Sequence, residues 1–300
     1  MMEICKLSDI AKFTTGKLNS NAAEAGGNYP FFTCSPEPLR INTYAFNTEA
    51  IILAGNNAEG NFHIQYYEGK FNAYQRTYVI ESCDASRVNL RYLYYALKMC
   101  LHHFKQISQG TATKFLTAKI LNGFELPIPT IEKQNKIASL LGNLDKKIES
   151  NEIINKNLLQ QAQSIFAQEF LVLDAIPDGW QESSLLGIAD YLNGLAMQKY
   201  RPRDDEQGLP VLKIKELRQG SCDANSALCS SSIKPEYIVH DGDVIFSWSG
   251  SLLVDFWCGG TCGLNQHLFK VTSSVYDKWF YYAWTSHHLQ KFAAIAADMA

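Results

Sequence analysis

The chain has 300 residues, 46% of them hydrophobic and 12% aromatic, and a formal net charge of −3. That apolar content supports packed cores and excludes a disordered chain, and the length suits one large domain or two moderate ones. By region the charge is +2 over residues 1–130 (12 basic, 10 acidic), −1 over 131–176 (5 and 6) and −4 over 177–300 (10 and 14). Bulk charge therefore gives nucleic-acid binding no support, and only a field local to one face could supply it.

In chain order, Leu7 to Phe13 reads as a short amphipathic helix ending near Gly16, followed by a polar, Gly-rich loop over 19–30. Strand-like runs follow at 31–33, 50–53, 62–67 and 76–80, with a turn over Gly55–Gly60. Arg91 to Phe104 is expected to be helical, and Gln109 to Ala112 a loop. The eight cysteines are scattered, with no Cys-x-x-Cys pair. With no signal-peptide pattern at the start, reduced thiols in a cytoplasmic protein are the simplest expectation.

Pro127 and Pro129 cannot sit inside a helix, so they end what precedes them. Thr130 can cap the next element, and Glu132 places a carboxylate in its positive first turn. From there to about Leu173 the chain has no proline. Apolar residues recur at Ile137, Leu141, Leu144 and Ile148, then at Leu158, Ala162 and Ile165, with Asn151 and Asn155 on the same seam. A helix of that extent is on the order of 55 Å long at about 1.5 Å per residue. It is too polar to span a membrane and reads as a spacer that packs against a second long helix.

The second half repeats the first. Ile188-Ala189 and Gly194 match Ile10-Ala11 and Gly16 at an offset of 178, and Val244-Ile245-Phe246 matches Ile51-Ile52-Leu53 at 193. Asn265-Gln266 falls on Tyr74-Gln75 at 191, and Tyr281-Tyr282-Ala283 on Tyr94-Tyr95-Ala96 at 187. With His287-His288 following much as His102-His103 does, five matches in one order, with so little drift, make a tandem duplication. Carried forward by 187, Pro127 lands at 314, so the second unit is expected to stop before its own final strand and long helix.

Several motifs together resemble the specificity subunit of type I restriction–modification systems. They are Gln109-Gly110-Thr111-Ala112, Phe115-Leu116, Leu126-Pro127-Ile128-Pro129 and Glu132-Lys133-Gln134-Asn135-Lys136-Ile137-Ala138, joined by Ile176-Pro177-Asp178-Gly179-Trp180. The resemblance implies an α+β chain: a first target-recognition domain over 1–129, a long helix over 130–173, and a second, incomplete recognition domain over 174–300. It implies recognition of a bipartite site in double-stranded DNA. The implied partners are methyltransferase (modification) subunits and, through them, the restriction subunit. Catalysis would belong to those partners, with no cofactor or metal held here. The sequence carries no phosphate-binding Gly-x-x-x-x-Gly-Lys loop and no dinucleotide fingerprint. A coiled-coil scaffold whose globular ends bind protein rather than DNA is the alternative.

Base reading needs paired donors and acceptors on loops, and phosphate contacts need Lys, Arg, hydroxyls or free amides. In the first unit Lys17, Asn19, Asn56, Asn57, Gln75 and Arg76 meet those needs. So do Gly110, Thr111, Thr113 and Lys114, on the family-like loop. Asn56-Asn57 is equally well explained as turn chemistry, and Gln75-Arg76 as pairing within the sheet. In the second unit the candidates are Lys199, Arg201 and Gln266, with Tyr200, Arg203 and Trp248 beside them; Asp204, Asp205 and Glu206 would offset Arg203. The uncovered stripe on the long helix further implies a homodimer paired antiparallel through it.

Overall fold

The computed structural model describes residues 3–173 and 175–298; the expected boundary at Asp174 and the chain end at Ala300 lie outside them. The chain divides into two compact units, residues 1–155 and 156–300. No helix of the described residues is long and apolar enough to cross a membrane.

The first unit opens with β1 (Glu3–Lys6), α1 (Leu7–Ile10), β2 (Ala11–Thr15), β3 (Tyr29–Phe32), β4 (Leu39–Ile41) and β5 (Phe46–Ala54). There follow β6 (Asn56–Asn57), β7 (Ile64–Ala73), β8 (Thr77–Ser82), α2 (Leu90–Met99), α3 (Leu101–Ile107), β9 (Lys114–Phe115), α4 (Ala118–Asn122) and β10 (Glu125–Ile128). Six strands form one sheet in the order β2-β8-β5-β7-β3-β4, with β3 and β7 parallel and the other pairs antiparallel. A bridge between Leu18 and Tyr74 ties the chain leaving β2 to the end of β7. Alternation along the strands splits the apolar side chains between two faces. Ile51, Leu53 and Ile80 join Leu93, Leu97, Phe104 and Leu126 on the helical side. Ala50, Ile52 and Val79 join Phe32 and Phe71 on the other.

The helix expected over residues 7–13 lasts only to Ile10, because Ala11 onward pairs with β8. Leu7, Ile10 and Ala11 have helical spacing, yet a cross-strand partner overrides that local signal. The helix expected over 91–104 breaks at Cys100 into α2 and α3.

The long helix α5 runs from Ile131 to Phe166, then a π-helical turn covers Ala167–Leu171. Its start is clasped to α2. Gln134 is fully buried; its Oε1 accepts from the Asn89 amide at 2.9 Å, while Nε2 donates to the Arg87 carbonyl at 3.0 Å and the Pro129 carbonyl at 2.8 Å. Asn89, which caps α2, also donates from Nδ2 to Asn135 Oδ1 at 2.9 Å. A turn further on, a side chain at Gly142 would meet Arg91 at 3.0 Å, so the glycine lets that guanidinium lie against the helix. Tyr95 donates to Asp145 at 2.6 Å, and burial followed by that carboxylate pushes its phenol up to about 12. Asp145 is thereby spent on helix docking.

In the second unit, residues 156–300, α6 (Leu185–Ile188) precedes β11 (Asp190–Asn193), β12 (Leu209–Leu212), α7 (Ile214–Gln219), β13 (Leu228–Cys229) and β14 (Ile238–Val239). Then come β15 (Val244–Ser247), β16 (Leu253–Phe256), β17 (Cys262–Leu264), β18 (Leu268–Thr272) and α8 (Lys278–Asp298). The duplication is visible in the pairings: β11-β18-β15-β16 repeats β2-β8-β5-β7, and parallel β12–β17 repeats parallel β3–β7. Leu195 bridges Asn265 as Leu18 bridges Tyr74. One difference splits the sheet in two. Where β7 is continuous, Cys258–Thr261 interrupts β16 and β17, with Gly260 at φ +85° and the Trp257 indole donating to its carbonyl.

Candidate nucleic-acid interface

Four connections of the first unit converge beside β2, β5 and β8. The turn between β7 and β8, Tyr74–Arg76, is the hub. The Gln75 amide donates to the Leu18 carbonyl at 2.9 Å, and its side-chain Nε2 donates to Asn19 Oδ1 at 2.8 Å. On the other side, the Arg76 carbonyl accepts from the Gly55 amide at 2.8 Å, and the Arg76 guanidinium lies 5.5 Å from the centre of the Phe115 ring. The β6–β9 pairing places Asn56 opposite Phe115 and Asn57 opposite Lys114. Gln109 bonds back to Phe115 at 2.7 and 3.0 Å, which folds the Gly110–Thr113 loop out from that ladder. Gly110 sits at φ +103°, where an added Cβ would collide with the Thr113 carbonyl, so the tight loop requires glycine.

The ten candidates of the first unit thus lie along one connected stretch of surface. Lys17 adjoins Leu18, and Thr111, Thr113 and Lys114 follow Gly110. Gln75 and Arg76 are exposed turn residues rather than members of the sheet. Asn57 does perform turn chemistry: its Oδ1 accepts from the amides of Glu59 at 2.9 Å and Asn61 at 3.0 Å. Asn56 Oδ1 accepts from Cys34 Sγ at 2.8 Å. Both side chains keep Nδ2 without a protein partner among the described residues.

Sequence patterns missed two members of this surface. Lys105 on α3 donates to Asn61 at 2.8 Å, and its stem lies beside Gly60 together with that of Lys114. Cys34, after β3, holds Asn56 in place. Neither had a local signal: Lys105 sits in a helical pattern, and Cys34 is one thiol among eight. Among the described residues no ion pair engages Lys17, Arg76, Lys105 or Lys114. Four cations are therefore available locally on a chain whose net charge is negative.

The second unit repeats the hub with different chemistry. The Gln266 amide donates to the Leu195 carbonyl at 2.9 Å, as Gln75 does to Leu18. His267 accompanies it, 3.1 Å from Ser249 Oγ and about 6.0 Å from the exposed Trp248 ring. Lys199 and Arg201 are exposed on the connection after Leu195. Arg203 is exposed and joins no ion pair among the described residues. Glu206, expected to offset it, instead accepts from the Ser230 and Ser231 hydroxyls, which hold its carboxyl down at about 2.

Comparison with known proteins follows the same lines. Residues 1–160 match the family model described as the type I restriction modification DNA specificity domain. A type I restriction enzyme EcoDI specificity subunit from Escherichia coli is 37% identical over 147 residues, covering 49% of this chain and 32% of that protein. The MjaVIII specificity subunit from Methanocaldococcus jannaschii is 23% identical over 273 residues, covering 82% of this chain and 63% of its own length. The chain therefore spans less than two thirds of either relative. Among solved structures, the S subunit of a type I restriction–modification system from M. genitalium aligns over 99% of this chain and 80% of its own, with a TM-score of 0.66. At 14% identity that likeness concerns the fold alone.

Proposed function

The chain belongs to the family of type I restriction modification DNA specificity domains, and on that premise we propose that it reads a specific sequence in double-stranded DNA. The observation that carries this reading is the convergence of Asn19, Gln75, Arg76, Asn56, Asn57 and Lys114 around the Gly110 loop. The Asn19–Gln75 pair consumes one acceptor and one donor, leaving Asn19 Nδ2 and Gln75 Oε1 without a protein partner among the described residues. One free donor beside one free acceptor matches the paired pattern at a base edge in the major groove. Lys17, Lys105 and Lys114 suit phosphates, which set register without reading sequence.

The division of labour follows the chain. Residues 1–129 and 174–300 each carry one recognition surface, and 130–173 form the spacer. Two surfaces of different chemistry suit a bipartite site. The chain supplies no catalysis; methyltransferase subunits, and the restriction subunit through them, act where it places them. A second copy pairs along the exposed face of α5.

Selection of bound duplexes from a random pool tests recognition. Enrichment of a defined sequence is expected, with affinity falling steeply as salt rises. Gln75→Ala should relax preference at one position, costing about 1–3 kcal/mol there. Lys114→Ala should weaken all duplexes alike and lower the salt slope by about 0.9. A chain that enriches no sequence, or whose binding ignores salt, refutes DNA reading and favours the protein scaffold.

A further inference from the structure

Asn57 closes the turn after β6 in a way that limits what its side chain can still offer. Its Oδ1 accepts from two backbone amides, those of Glu59 at 2.9 Å and Asn61 at 3.0 Å. Turning the carboxamide by 180° would aim its N–H groups at those two donors and leave both amides unpaired. The amide therefore has one orientation. A carboxamide with both ends free pairs bidentately with adenine. Asn57 has already used its acceptor, so only Nδ2 remains, and a donor alone can satisfy nothing but an acceptor.

The surroundings of that donor are cationic. The β6–β9 ladder sets Lys114 directly opposite Asn57. Gly60 lies in the same turn at φ +75°, and a Cβ there would come 3.1 Å from Lys105 Cγ and 3.3 Å from Lys114 Cγ. The missing side chain thus lets two lysine stems close over the turn from different elements, α3 and β9. Lys105 Nζ is steadied by Asn61 Oδ1 at 2.8 Å. The turn has one acid, Glu59, which accepts from Asn61 Nδ2 at 3.1 Å. Among the described residues it pairs with neither lysine. Two cationic stems beside a lone amide donor, with no carboxylate between them, favour an anion with several acceptor atoms.

We propose that Asn57, Lys105 and Lys114 clamp one backbone phosphate of the bound duplex, with Asn57 donating to it from Nδ2 while Oδ1 holds the turn. The inference rests on DNA recognition by the first unit and divides the labour within that surface. Asn57 sets the register of the protein on the duplex and reads no base. Base reading is left to side chains that keep an acceptor as well as a donor, as the Asn19–Gln75 pair does.

The test uses the whole chain, the duplex it enriches and variants of that duplex changed one base pair at a time. Asn57→Asp is nearly isosteric and keeps an acceptor for the two turn amides, but it replaces the outward donor by a charged oxygen. Affinity is expected to fall roughly tenfold or more, equally on every duplex, with circular dichroism and the urea midpoint unchanged. Lys105→Ala should lower the salt slope by about 0.9. A neutral methylphosphonate, moved linkage by linkage along the duplex, then locates the contact. At one linkage the wild-type chain should lose affinity and the gap between it and Asn57→Asp should close. Full affinity of Asn57→Asp overturns the clamp and leaves Asn57 a turn residue alone. A changed preference at one base pair also overturns it, because Asn57 would then read a base. So does a gap that persists at every linkage, which is a long-range effect of the added charge. A scan in which no linkage weakens the wild-type chain overturns it whether or not Asn57→Asp folds. Enrichment of no duplex at all is the separate outcome that refutes DNA reading itself.

Discussion

Gln134→Leu is expected to destabilise the first unit by about 3–6 kcal/mol. The loss is polar. Gln134 is 0% exposed and serves three backbone groups: the Asn89 amide and the Arg87 and Pro129 carbonyls. Leucine orphans all three, the Pro129 carbonyl in a buried place and the other two in part-buried ones, and each unsatisfied buried group costs about 1–3 kcal/mol. Against a typical total stability of about 5–15 kcal/mol, that is severe. Urea denaturation checks it through the shift in midpoint. Gln134→Glu adds a diagnostic, since it keeps an acceptor for Asn89 but turns a carboxylate toward two carbonyls. It should be tolerated better at low pH, where the carboxyl is protonated and can donate to one of them. A loss below about 1 kcal/mol for Gln134→Leu would show that water replaces the amide.

On the proposed pairing along α5, Leu144→Asp is expected to convert a dimer of twice 33.7 kDa into a monomer of that mass. On α5, Leu144 is 50% exposed, Ile148 56%, Leu158 58% and Ile165 60%. A regular apolar face left in water drives association. Fully burying one such side chain contributes about 1.5–3 kcal/mol. In a two-fold pair every substitution is felt twice. Aspartate at Leu144 removes that burial in both copies and sets charges into the seam. Sedimentation at tens of micromolar decides the matter. A wild-type chain that already runs as a monomer would show that the face has no second copy on it.

Local chemistry made much of this protein legible. The strands at 50–53 and 76–80, the proline stop before α5 and the tandem repeat all follow from residue types at short range. The residues behind the family resemblance were legible too, but their role was not. Gln134 and Asn135 look like helix-surface polar groups, yet they tie α5 to α2 across 45 or more positions of chain. The end of the long helix moved for a similar reason. An unbroken helix was expected to about Leu173, whereas α5 passes into a π-turn after Phe166, where Phe166 and Phe170 pack on Trp284.

The sequence by itself offered most of the candidates for nucleic-acid contact, Lys105 excepted, since candidacy depends on side-chain chemistry and on Gly and Asn marking loops. Only the tertiary structure decided that they meet. Asn19 reaches Gln75 across 56 residues, Lys105 reaches Asn61 across 44, and Asn57 pairs with Lys114 through a two-residue ladder. Such neighbours are chosen by closure of the sheet and by the pairing of every buried backbone group, which no window of local sequence contains.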